Sequence, residues 1–317
     1  MLVTGAPGWL GSRLARRLLD SGRRVRCLVY RDDWSKTAAL EVLAGAELVF
    51  GDVRHPGAVA AALRDVGTVF HLAAARHPRT VRDYTSVNVD GTRQLASAAE
   101  RLGVEHVVFV SSLSVHGHNS DPNVAFDEAS PLAPKTAYAE SKRDAEQVLL
   151  STIVPTTILR PGPFYGPGQT EGMARLMRLV ARGAVPVFRG ALDRRRSYVH
   201  VDNVVEALLL AERREPLGGA LLIGDARPHS TSELIEAMAA ALGVTLRLVS
   251  IPLGLSRIAE LGARLSHRAW GRHLGFLDMA GELGRDAFGR IDAARRVLGY
   301  APMLTLADGM TQAARGV

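Results

Sequence analysis

The sequence predicts an α/β protein: a doubly wound parallel sheet followed by a smaller, mixed α/β region. Three observations predict it. Residues 1–161 alternate short apolar runs with helix-like stretches. Those runs carry Val, Leu and Phe on both faces, as strands buried between two helix layers must. A glycine-rich turn stands between the first strand and the first helix. With 317 residues, 47% of them apolar, there is ample material for such a core.

The predicted strands are Leu2–Thr4, Val25–Tyr30, Glu47–Phe50, Thr68–Leu72, His106–Ser111 and Thr156–Arg160. The first helix follows from Leu10, Leu14 and Leu18, which share one face, with Gly22 as its stop. Leu95, Ala98, Ala99 and Leu102 repeat that pattern before Gly103. Alternation at this spacing implies right-handed crossovers and a parallel sheet. A breaker-rich loop follows, with Pro161, Gly162, Pro163, Gly166, Pro167 and Gly168. Helices are expected near 172–182, 202–213 and 232–242, the last capped from Thr231-Ser232-Glu233-Leu234. The expected division is a dinucleotide-binding domain over 1–161 and a mainly substrate-binding region over 162–317, interleaved with the sheet near 185–225. Residues 251–280 set arginines among apolar residues and read as a substrate-domain helix, a lid or a membrane-surface helix.

Composition narrows the class. The net charge of +7 invites a nucleic-acid reading, but 36 of the 39 basic residues are arginines, dispersed apart from Arg194-Arg195-Arg196 and short pairs. No zinc-finger spacing accompanies them, so no nucleic-acid partner is expected. Mild attraction to anionic small molecules is the simpler consequence. No apolar run reaches the length of a membrane span, so no stable insertion is expected. Met1-Leu2-Val3-Thr4 reads as a strand and not as a signal peptide. Cys27 is the one cysteine, which excludes an intrachain disulfide and suits a reducing cytoplasm. His116 and His118 alternate without an obvious third ligand, so no metal is expected.

Gly5, Gly8 and Gly11 stand in the stretch Thr4-Gly5-Ala6-Pro7-Gly8-Trp9-Leu10-Gly11. A dinucleotide diphosphate needs close backbone approach and free N–H groups at a helix N-terminus, and this placement offers both. Trp9 and Leu10 then lie at the cofactor. The end of the second strand reads the ribose. Val29 stands where an acid would favour NAD, and Arg31, beside Tyr30, tips the reading toward the 2′-phosphate of NADP. Asp32 and Asp33 pull the other way. Asp52 suits either the adenine amino group or an N-cap.

Tyr138 and Lys142 lie at i and i+4, on one helix face. A tyrosine near its free pKa is a poor base at neutral pH, and a nearby ammonium favours the phenolate. Such a pair can move a proton on or off a secondary alcohol. Ser111 and Ser112 follow the fifth strand, at the end that faces the ligand crevice in parallel sheets.

These segments resemble a known family. TGAPGWLG (4–11), GDV (51–53), HLAA (71–74), NVDGT (88–92), VSSLSVHG (110–117), YAESK (138–142), LRPGPFYGPG (159–168), VHVDNV (199–204) and LGYAP (298–302) occur in order. The set is similar to the extended short-chain dehydrogenase/reductases, which include the NAD-dependent epimerases and dehydratases and the 3β-hydroxysteroid dehydrogenase-like enzymes. The resemblance implies a Rossmann-type sheet, an NAD(P) cofactor and a homodimer formed through helices at 83–102 and 136–151. It implies a catalytic set of Ser112, Tyr138 and Lys142, with Asn88 beside the lysine. It puts Asp52 and Val53 at the adenine, and Leu72, Ala73 and Ala74 along the cofactor. Arg76, Ser111 and Pro161 fall at cofactor positions as well.

Departures from the family patterns narrow the chemistry. Leu113 and Ser114 replace the acidic pair of the dehydratases. A small hydroxyl at Ser114 suits 4-epimerases and simple reductases. Pro163 stands where epimerases often carry Asn. Arg196 matches an arginine that meets a sugar-nucleotide diphosphate, and it joins Ser114 and Phe164 as the substrate candidates. The tail Phe288-Gly289-Arg290-Ile291-Asp292 is closer to the hydroxysteroid dehydrogenase-like branch. The expected function is hydride transfer at a secondary alcohol or ketone of a small molecule, with Tyr138 as acid/base. A nucleotide-sugar epimerase with retained cofactor is the alternative, and a non-catalytic dinucleotide sensor a remote one.

Overall fold

The computed structural model describes residues 1–30, 41–76, 78, 80–170, 172–188, 190–251 and 284–315. Arg31 and nearly all of the 251–280 segment lie outside them.

Seven strands form one parallel sheet. They are β1 (Leu2–Thr4), β2 (Arg26–Val29), β3 (Glu47–Phe50), β4 (Thr68–His71), β5 (His106–Val110), β6 (Thr156–Pro161) and β11 (Gly219–Ile223). Their order is β3-β2-β1-β4-β5-β6-β11, every pair parallel. The order reverses between β1 and β4, and ligands of such sheets bind at the carboxyl ends beside that point. The fold is therefore the Rossmann type, with a smaller mixed region after it.

Helices cover both faces, which is why the strands carry no polar side. On one face, α1 (Trp9–Asp20) buries Leu14, Ala15 and Leu18 against the sheet beside Val204, Val205 and Leu208. The other face packs Val59, Leu63, Leu95, Ala99, Ala145 and Leu149. These come from α2 (Pro56–Leu63), α4 (Gly91–Arg101) and α5 (Ala137–Leu150). Ahead of α4, α3 (Val81–Tyr84) runs into a π-helical stretch, Thr85–Asp90, which holds the buried Asn88. Such wide turns cost regular helix geometry and are frequent at functional sites.

The smaller region has a core of its own, including Met177, Val180, Leu234, Met238 and Met310. Its helices are α6 (Met173–Val180), α8 (Thr231–Leu242) and α10 (Leu306–Ala314). Between them α7 (Val201–Glu212) returns to pack on α1, and α9 (Asp292–Leu298) packs beside β11. Short strand pairs stiffen the loops. They set β7 (Phe164–Tyr165) beside β10 (Val199–His200), β8 (Ala184–Phe188) beside β13 (Arg247–Ile251), and β9 (Arg195–Arg196) beside β12 (His229–Ser230).

The seventh strand, β11, falls in the 185–225 stretch and aligns with β6 over Gly219↔Thr157 to Ile223↔Pro161. Two expectations need correction. The cap of α8 is Ser230, one residue before the expected cluster, because Ser230 and Glu233 complete a reciprocal capping box. Strand β2 stops at Val29, which leaves Tyr30 outside the sheet and 40% exposed.

Candidate active site

The glycine loop joins β1 to α1 at the switch point. Gly5 has φ +72°, a conformation that favours glycine. A Cβ on Gly5 would lie 2.8 Å from the Ala73 nitrogen, and one on Gly11 would overlap the Gly5 carbonyl oxygen. The loop, α1 and the end of β4 thus meet backbone to backbone. Gly8 caps α1 with no side-chain bond, and the first turn holds no acid. The helix therefore presents its N–H groups and positive dipole end uncompensated by its own side chains. Those features fit a dinucleotide diphosphate.

A buried hydrogen-bond chain fixes the neighbouring strand end. The Thr4 hydroxyl receives N–H bonds from Leu72 and Ala73, each 3.1 Å, and meets His71 Nδ1 at 2.8 Å. His71 Nε2 lies 2.9 Å from the Thr92 hydroxyl, which itself donates to the Asn88 carbonyl at 2.6 Å. The Thr92 proton is thus committed, so His71 must donate from Nε2 and accept from Thr4 at Nδ1. Burial, and then the Lys142 charge, push His71 down to about 3, which keeps it in that neutral form.

Asn88 extends the chain. Its side chain exchanges bonds with Ala75, receiving from its N–H at 2.7 Å and donating to its carbonyl at 3.2 Å. It also donates to the Ser141 hydroxyl at 2.8 Å, and Ser141 donates to the Tyr138 carbonyl at 2.7 Å. Tyr138 and Lys142 stand one turn apart on α5, which starts from a Thr136 cap. The Tyr138 ring meets Tyr84 edge-on at 6.0 Å. Lys142 is 2% exposed, with Nζ 4.2 Å from the centre of the Phe109 ring.

The electrostatics differ from the simple expectation. Burial pushes the Tyr138 phenol up, and the charge opposing it is Arg76, whose carbonyl receives the Tyr84 hydroxyl at 2.8 Å. Burial also brings Lys142 down to about 7, against the pull of Glu146. In the polypeptide alone, desolvation outweighs the i,i+4 pairing that the spacing suggested.

Glu146 is itself buried and bidentate with Arg160, at 2.9 and 2.6 Å. Arg160 also donates to His116 Nε2 at 3.2 Å, so His116 carries its proton on Nδ1, toward the Pro131 carbonyl. Both His116 nitrogens are engaged within the fold.

Ser112 caps a short 3₁₀ turn, Leu113–His116. Its oxygen accepts from the Ser114 N–H at 3.2 Å and from the Ser114 hydroxyl at 2.8 Å, which leaves its own O–H to donate. The buried Ser111 hydroxyl has no hydrogen-bond partner among the described residues. Pro161 ends β6, and Phe164 packs toward Trp9 with ring centres 6.5 Å apart. Arg196 lies in the β9–β12 pair opposite His229. There its charge opposes the burial that raises the Tyr198 hydroxyl.

The residues expected at the adenine and ribose are less uniform. Val53 is buried and touches Gly91, where a Cβ would lie 2.7 Å from Val53 Cγ1. Burial pushes the Asp52 carboxyl up, but hydrogen bonds and charge from Arg54 outweigh it and hold the group below its usual range. Asp52 accepts from the Arg54 nitrogen, Nε and Nη2 and does not cap α2, whose cap is His55. Val29 is fully buried in the sheet, where it reads no ribose. The described residues therefore give NADP no preference.

Sequence reasoning missed Ser141, Thr4 and Thr92 as members of the hydrogen-bond chain. It also missed Arg13, which sits one turn after Trp9 and donates to the Pro167 carbonyl. The i,i+4 spacing of Trp9 and Arg13 was the available signal.

A Rossmann sheet with a glycine loop at its switch point and a Tyr–Lys pair on one helix face defines a class of nicotinamide-dependent enzymes. The chain belongs to the NAD dependent epimerase/dehydratase family, whose description matches residues 1–224. It is thus an enzyme of the NAD(P)-dependent extended short-chain dehydrogenase/reductases. It is 30% identical to the 4-hydroxy-2-methyl-3-oxo-4-farnesyl-3,4-dihydroquinoline-1-oxide ketoreductase of Stigmatella aurantiaca, over 97% of this chain and 93% of that one. It is 27% identical to the UDP-glucose 4-epimerase of Vibrio cholerae, over 99% and 94%. The solved Thermus thermophilus UDP-glucose 4-epimerase, in complex with NAD, superposes with a TM-score of 0.76 at 25% identity, covering 99% of this chain and 97% of that one. Among the described residues no helix is long and apolar enough to cross a membrane.

Proposed function

We propose that the chain is an NAD(P)-dependent dehydrogenase or reductase acting at a secondary alcohol or ketone of a small molecule. One observation carries this reading: the Tyr138 backbone is locked through Ser141 to Asn88, while Ser112 keeps an O–H to donate. The bound dinucleotide supplies or accepts the hydride. The backbone of Gly5, Gly8, Trp9, Leu10 and Gly11 holds its diphosphate, and Leu72, Ala73, Ala74, Ser111 and Pro161 line its path. Ser112 donates to the substrate oxygen and orients it. The Tyr138 hydroxyl gives that oxygen a proton in reduction and takes it in oxidation. The Lys142 ammonium stabilises the phenolate so formed. Holding these groups in place before reaction supplies the rate advantage.

The test is cofactor absorbance with a panel of ketones, using NADH and NADPH. Tyr138→Phe should lower turnover by about 10²–10⁴-fold with dinucleotide affinity retained. Undiminished turnover in that variant would sink the assignment.

A second reading is a nucleotide-sugar epimerase. Ser114 is compatible with it, as a hydroxyl bonded to Ser112 where an acid would mark other chemistry. Phe164 and Arg196 are its substrate candidates. Denaturing the purified protein separates the two: near-stoichiometric released NAD(H) supports the epimerase, and an empty site that binds added cofactor supports the reductase. The steroid dehydrogenase-like branch rests on the 288–292 tail, where Phe288 carries Arg195 over its ring at 4.4 Å. A homodimer through α4 and α5 has to be measured by light scattering, because their outward residues include Arg93, Glu100, Glu140 and Gln147.

A further inference from the structure

The loop after β6 is tied at both ends. At its base, the Gly162 nitrogen donates to the Ile223 carbonyl at 3.0 Å, and the Val199 nitrogen donates to the Pro163 carbonyl at 3.1 Å. At its tip, the Pro167 carbonyl receives two side chains of α1. Trp9 Nε1 donates at 2.9 Å and Arg13 Nη2 at 2.7 Å. Trp9 and Arg13 are one turn apart, so both reach the same oxygen from one helix face. A carbonyl oxygen has two lone pairs, and these two donors fill them. The other Arg13 nitrogen, Nη1, pairs with Asp202 at 2.9 Å, in the first turn of α7.

Trp9 is also the first residue of α1, directly after Gly8. The glycine loop marks the phosphate end of the crevice, and Pro161, where the tied loop begins, marks the end beyond β5. The bonds to Pro167 therefore connect the two ends on which a dinucleotide would rest.

We propose that Trp9 and Arg13 latch the 162–168 loop to the phosphate-binding helix and thereby set how fast the dinucleotide leaves. The inference rests on the reading of the glycine loop as the dinucleotide cradle. The two residues act as positioning residues. Release requires the loop tip to part from α1, which breaks a neutral hydrogen bond and a charge-assisted one. Both bonds are formed in the structure as it stands, so entry past the loop breaks them as release does, and the latch sets the rate of exchange.

The test uses the full chain preloaded with NADH, and with NADPH in a parallel run. Mixing with excess oxidised dinucleotide in a stopped-flow instrument follows release by the fluorescence of the reduced nicotinamide. Trp9→Phe keeps the ring beside Phe164 and removes the donor. Arg13→Met keeps the stem and removes the guanidinium. Each should speed release by about fivefold, the scale of one net hydrogen bond, with association not slowed and the thermal midpoint close to wild type. A purely structural role would lower the midpoint and slow association instead, and that result would overturn the latch. Wild-type release rates in both variants would also overturn it while leaving the cradle intact. Failure of the wild-type protein to bind either dinucleotide would overturn the cradle as well.

Discussion

Asn88 and Ser141 lie 53 residues apart in the chain, and the Asn88 amide donates to the Ser141 hydroxyl at 2.8 Å. The bond fastens a π-helical turn to the helix that carries Tyr138 and Lys142. Asn88 also satisfies the Ala75 N–H and carbonyl. Asn88→Ala should cost about 1–3 kcal/mol, because buried partners lose their bonds. Thermal denaturation reads the stability. Turnover should fall further than cofactor affinity, since the Tyr138 backbone loses its tether.

Lys142 should titrate near neutral pH. The chain has three lysines, Lys36, Lys135 and Lys142. Side-chain-labelled lysine NMR should show the buried one losing its proton at about 7. An unfolded lysine keeps its proton to about 10.4. Between those values the unfolded chain holds the extra proton, so this group's contribution to stability rises with pH across that window. Its burial penalty is complete below the window. Lys142→Met should therefore raise the thermal midpoint more at pH 6 than at pH 9.5. An equal gain at both pH values would contradict the shift.

Arg160 and Glu146 form a buried pair, with side chains 7% and 1% exposed. Arg160→Met strands a carboxylate in the interior and should cost about 3–5 kcal/mol. Arg160→Met with Glu146→Leu should recover most of that loss, since two apolar side chains leave no charge unpaired. Urea titration of both variants measures the difference.

Two glycines predict opposite outcomes. Gly11→Ala sets a Cβ into the Gly5 carbonyl, with backbone on both sides. It should destabilise by about 1–3 kcal/mol and weaken dinucleotide binding. Gly57, inside α2, has nothing within 4 Å of an added Cβ. Gly57→Ala should stabilise by up to about 1 kcal/mol through helix propensity. Calorimetry on the two variants reads both signs.

The elements legible in the sequence were those with local causes. Six strands announced themselves as apolar runs, and Leu14 and Leu18 marked the inner face of α1. β11 did not, because Gly219-Ala220-Leu221-Leu222-Ile223 begins with two small residues and follows a breaker-rich stretch. The Tyr138–Lys142 spacing and the glycine loop were likewise local. The Thr4–His71–Thr92 chain was not, since its members lie 67 and 21 residues apart and meet only once the sheet forms. The burial of Lys142 was hidden for a related reason. Helix spacing shows which groups are neighbours, whereas desolvation depends on what Phe109 and the rest of the fold place over them.

Strand β11 borders β6 through five aligned residues, yet a long stretch of chain, holding α6, α7 and four short strands, separates the two. During synthesis, β6 emerges with one side unpaired and waits for residues 219–223 before its backbone is satisfied. A fragment ending at residue 161 would keep that side bare permanently, inviting edge-to-edge aggregation. The sheet therefore stays incomplete until residue 223 has been made, well past the middle of the chain.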